Sequence, residues 1–165
     1  MKFTNSSAYV NKLNNLFNVL IAIPLLLIGY GYLQIRSGLW TALMEPTNGI
    51  VIGMSLGIVL MITYLSFRFK KESRHLVVFD ELQVKMLSYY RLASFYYWSA
   101  FALSLVTTAL LFLFAHLAFA IVYAFILFWM SIYGPTIKGL ADLFDLEEEE
   151  KRKFLNKEDL FDDNN

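Results

Sequence analysis

Cysteine is absent from the 165 residues, which excludes disulfides, thiolate metal ligands and thiol nucleophiles. Net charge at pH 7 is zero, so no whole-chain field points to nucleic acid or to an acidic partner. The two histidines, His75 and His116, are too far apart in sequence to suggest a metal site by themselves. No phosphate loop, nucleophile elbow, zinc signature or intramembrane carboxylate pair occurs. An enzyme is therefore the least supported class, and no cofactor is expected. Charged residues are scarce, at 17%, and they collect at the start, the middle and the tail. That blockwise distribution is the mark of a chain built for lipid.

What the chain has is apolar length. Hydrophobic residues make up 58%, too many for an ordinary soluble domain. Leu16 to about Leu33 reads as a first span, with Pro24 inside it and Tyr30 and Tyr32 as interfacial aromatics. It lacks a small-x-small cleavage pattern, so it is expected to be retained rather than removed as a signal peptide. A second span runs from about Gly49 to Phe67 and stops abruptly at Arg68, Lys70, Lys71 and Arg74. From Leu92 to Tyr133, 42 residues hold no Asp, Glu, Lys or Arg. As one helix that run would extend about 63 Å, twice the hydrocarbon thickness. It therefore reads as a hairpin, with spans at about 94–114 and 117–133 and a turn near His116. Tyr96, Tyr97 and Trp98 mark one interface, and Trp129 and Tyr133 the return.

Between the second and third spans, Leu82, Met86 and Tyr89 or Tyr90 share one helical face, with Asp80 as the expected N-cap. After Gly134-Pro135, Ile137, Leu140, Leu143 and Phe144 recur at helical spacing, as in a short helix on a membrane surface. Asp145-Leu146-Glu147-Glu148 resembles a capping box for a second, charged helix. The chain thus divides into a four-span bundle, 1–134, and a cytoplasmic helical charged tail, 135–165. Residues 150–165 lack a large apolar face and are expected to be dispensable for the folded bundle.

Orientation follows from the basic residues. Lys2 and Lys12, then Arg68, Lys70, Lys71, Arg74, Lys85 and Arg91, then Lys138, Lys151, Arg152, Lys153 and Lys157 all fall on one side. Only Arg36 falls on the other. A count of 13 against 1 places both termini and the 68–93 connection in the cytoplasm.

Gly49, Gly53 and Gly57 recur every fourth residue at the head of the second span. Such small-residue stripes let helix backbones approach closely in lipid. Gly29 and Gly31 lie at the same depth in the first span. Two readings stand: intramolecular packing of these two spans, or a homo-oligomer interface. No acid, Lys or Arg lies inside any span, which counts against a coupled transporter. Ser99, Ser104, Thr107 and Thr108 could line a pore, or could bond back to their own helix. His116 is a polar turn residue or an outward pH sensor. Glu147 to Glu150 point to different helical faces and read as a solvated run rather than a cation site.

The stretch Phe79-Asp80-Glu81-Leu82-Gln83-Val84-Lys85-Met86, closing with Ser94-Phe95, resembles uncharacterised bacterial four-span inner-membrane proteins with an Asp-Glu motif ahead of the third span. That resemblance implies a small multi-pass protein of the inner (plasma) membrane and assigns no functional residue. The expected fold is all-α, an integral membrane four-helix bundle with cytoplasmic amphipathic and charged helices. The expected role is a non-enzymatic subunit or scaffold in the lipid bilayer. Its cytoplasmic face would carry Arg68, Lys70, Lys71, Arg74, Asp80, Glu81 and Lys85 for an unidentified protein partner. The alternative is a small channel or transporter formed by a homo-oligomer.

Overall fold

The computed structural model describes residues 6–78 and 81–156, with the side chains of residues 77 and 78 left aside. Every regular element among them is helical. In chain order these are α1 (Ser6–Arg36), α2 (Asn48–Arg74), a single 3₁₀ turn (His75–Val78), α3 (Leu82–Phe114), α4 (Ala118–Ile132), α5 (Ile137–Leu143) and α6 (Glu148–Asn156). Asp80 lies outside the described residues. Helix α3 begins after Glu81, which occupies the N-cap position without a side-chain capping bond.

Three helices, α1, α2 and α3, are long and apolar enough to cross a membrane. Helix α4 reaches that standard only together with α5, from which it is bent by 62°. Its 15 residues extend about 22 Å, short of a hydrocarbon core of about 30 Å. The charge-free run does fold as a hairpin. Ala115 takes a left-handed conformation, φ 46°, which ends α3, and α4 starts three residues later. The His116 ring assists, its Nδ1 accepting the Ala118 N–H at 3.2 Å.

Helix α3 is the hub against which α1, α2 and α4 all pack. Its hydrophobicity runs round the whole cylinder, as a central helix requires. The antiparallel course gathers the start of α1, the end of α2, the start of α3, the end of α4, α5 and α6 at one end, here called the base. The far end holds the α1–α2 connection and the His116 turn. There the loop closes the last turn of α3: Trp40 Nε1 donates to Phe112 O at 2.9 Å, and the Leu43 and Met44 amides donate to Leu113 O. These donors satisfy carbonyls that a helix end otherwise leaves orphaned.

In the helical framework the structure departs from the sequence reading at α1, at Tyr96 and Tyr97, and at Asp145. Helix α1 starts ten residues before the expected span, because Tyr9, Val10 and Leu13 are buried against the base. Tyr96 and Tyr97 turn inward rather than marking an interface, and only Trp98 of that trio is exposed. Asp145 does not cap α6: with φ 50° it sits in the left-handed position just after α5 and terminates that helix instead.

Candidate functional site

The base is where polar chemistry and packing meet. Tyr9, Phe69, Met86, Tyr89, Tyr96, Tyr97, Phe144 and Phe154 are buried there in one core. Their rings interlock: Phe69 stacks on Tyr96 at 4.7 Å and meets Tyr89 edge-on at 5.9 Å, and Tyr89 meets Phe144 at 5.9 Å. Aromatic pairs in such edge and offset geometries add to the gain from burial alone. Hydroxyls then tie the helices together. Tyr9 OH donates to Met86 O at 2.9 Å, Tyr97 OH to Tyr133 O at 3.1 Å, and Ser66 Oγ pairs with Tyr96 OH at 2.9 Å.

Lys85 is the outlier. The sequence places it on an exposed partner face, but the structure buries it, with Nζ donating to Phe144 O at 2.8 Å. Phe144 is the C-cap of α5, so the ammonium satisfies a helix-terminal carbonyl and meets the negative end of the helix dipole. At its other end, α5 is capped by Thr136 Oγ1, which accepts the Gly139 N–H at 3.1 Å.

The tail also differs from expectation. Phe154 of α6 is fully buried against Phe144, and Ser6 Oγ donates to Phe154 O at 2.7 Å. Lys151 Nζ bonds Asp142 Oδ1 at 2.7 Å, linking α6 to α5. The segment is not a separable appendage, because one aromatic on an otherwise charged helix anchors it to α1 and α5.

Of the other residues expected on a partner face, Arg68, Lys70, Lys71, Arg74 and Glu81 are exposed, and Asp80 lies outside the described residues. Arg68 Nε bonds Glu72 Oε1 at 2.7 Å, which raises the guanidinium's pKa through hydrogen bonding and charge. Phe67 and Tyr64 stand exposed beside these cations.

The glycines separate. Gly31 is buried under the Phe112 ring, whose Cζ would lie 2.9 Å from an added Cβ. Its partner is therefore α3, not α2. Gly29, Gly49, Gly53 and Gly57 have nothing within 4 Å of that position. Intramolecular packing of the α2 stripe against α1 is thus not what the structure contains, because α1 spends its apolar face on α3. The hydroxyls of Ser99, Ser104, Thr107 and Thr108 each donate to the carbonyl four residues earlier in α3. That satisfies them within their own helix. No cluster of three or more metal-ligating side chains occurs among the described residues.

No protein family, curated protein or solved structure matches the chain.

Proposed function

We propose that this chain is a multi-pass membrane protein in which α1, α2, α3 and the α4–α5 pair cross the bilayer as a four-helix bundle. Both termini lie in the cytoplasm, and the base serves as a non-enzymatic docking surface for a protein partner. One observation supports this reading above others. The fold gathers at a single end the exposed cations that the positive-inside count assigns to one side, Lys70, Lys71 and Arg74 on α2 together with Lys138 and Arg152. Among the described residues, Arg36 is the one cation at the opposite end. The docking surface then comprises the exposed end of α2, Glu81 and the charged face of α6, without Lys85. The assignment to an inner membrane rests on the resemblance carried by residues 79–95.

Reporters fused after residue 165 and within 68–93 test the arrangement. Both are expected to read cytoplasmic, and a periplasmic reading at either point overturns it. The role as a scaffold rather than a channel is tested with purified protein in liposomes, where no ion flux above that of empty vesicles is expected.

A further inference from the structure

The face of α2 that α1 leaves uncovered is not flat. Between α2 and α3 runs an apolar groove of about 750 Å³, walled by Gly57, Met61 and Leu65 on one side and by Phe95, Leu103 and Val106 on the other. Gly57 deepens it, since the space beside its Cα is empty. Towards the base the groove continues past Leu65 and Phe95 into a smaller hollow that Arg68 and Glu72 border. These same two residues border a third hollow with Lys71, His75, Tyr64 and Phe67. An apolar channel along the helices therefore opens onto a cationic shelf.

We infer that this groove binds an anionic phospholipid, with one acyl chain lying between α2 and α3 and the headgroup phosphate held at Arg68 and Lys71. The inference rests on the membrane reading above. Length supports it: Gly57 to Arg68 is eleven residues, about 16 Å along α2, the depth of one leaflet of a hydrocarbon core of about 30 Å. Charge supports it too. Residues 68–74 hold four cations against one carboxylate, Glu72, a net charge of +3. Glu72 engages the Arg68 Nε and leaves Lys71 exposed on the shelf. Tyr64 and Phe67 supply interfacial aromatics at the same level. A second copy is the competing occupant. Two copies inserted in the same direction and packed through this face would bring their +3 segments together at one depth, where like charges repel. An anionic headgroup neutralises that charge.

The test is native mass spectrometry of the purified full chain with added phosphatidylglycerol or phosphatidylcholine. The wild type is expected to retain phosphatidylglycerol more tightly. Lys71→Gln should weaken phosphatidylglycerol retention about fivefold while leaving phosphatidylcholine unchanged. Gly57→Leu, which fills the groove at an open position, should weaken retention of both lipids. Thermal melting of each variant confirms that the bundle is intact. Equal retention of the two lipids by the wild type overturns the proposal, as does unchanged phosphatidylglycerol retention in either variant. A dimer that Gly57→Leu converts to monomer assigns the groove to a second copy instead. A chain that stays soluble without detergent sinks the membrane reading as well, whereas an embedded chain without lipid preference sinks only the lipid site.

Discussion

The two ends of this molecule are held by different means. At the base, buried aromatic rings are cross-linked by directional bonds from Ser6, Tyr9, Lys85 and Tyr97 to carbonyls on other elements or at their ends. At the far end, the core is a smaller apolar cluster of Ile28, Val51, Leu111, Phe114, Phe119 and Tyr123. There the polar closure comes from a loop lying over the end of α3, and one hydroxyl, Tyr123 OH, donates across to Ile21 O of α1 at 3.2 Å. The base is specified by hydrogen-bond geometry as well as by shape, so substitutions there can remove either one separately. The far end has fewer side-chain bonds between its elements, from Trp40 and Tyr123. In between, the outer face of α2 is committed to neither.

The comparison is broken most directly at Phe144, which joins Tyr9, Tyr89 and Phe154 and presents the carbonyl that Lys85 caps. Phe144→Ala is expected to destabilise the folded chain by about 3–5 kcal/mol, read as denaturant unfolding in mild detergent. A loss under about 1 kcal/mol would mean that the base is not the stronger end.

Lys85→Met sharpens the contrast by keeping the buried stem and deleting only the ammonium. Leaving Phe144 O unsatisfied in the interior should cost about 1–3 kcal/mol. Hydrogen exchange should report the loss first at the amides of α5. Uniform exchange along α3 instead would show that Lys85 does not act through that cap.

The glycines are tested as a pair, and the smallest effect is expected at Gly53. Gly31→Leu forces a side chain against Phe112 and should cost about 1–3 kcal/mol. Gly53→Leu meets open space and should change monomer stability by less than about 0.5 kcal/mol. Equal damage at the two positions, measured in the same detergent, would place a helix over the α2 stripe.

The hairpin at His116 was legible because a charge-free run of 42 residues has a length that only one turn reconciles with bilayer thickness. The buried face of α3's first turns was legible for a similar reason, since Met86 and Tyr89 recur at helical spacing. Other features leave no periodic trace. Phe154 is a lone aromatic among charges, and nothing local says that Ser6 and Phe144 await it. Lys85 looks like a surface cation until the fold brings the end of α5 to it. For the glycines, spacing defines a shared face but not what stands opposite. Gly31 met an α3 ring and Gly53 met nothing.

The brevity of α4 has a consequence for the bilayer itself. On the membrane reading, α3 presents more than a full hydrocarbon thickness in one helix, while α4 beside it presents about 22 Å and completes its crossing only through α5, bent from it by 62°. Lipids along that flank would meet a shorter continuous helix than those on the opposite flank and would thin where the bend leaves it uncovered. The protein would then act as a wedge, imposing a gradient of thickness across its own perimeter. Thin bilayers would accommodate it with less elastic strain than thick ones, and neighbouring proteins with short spans would be drawn to its α4 side.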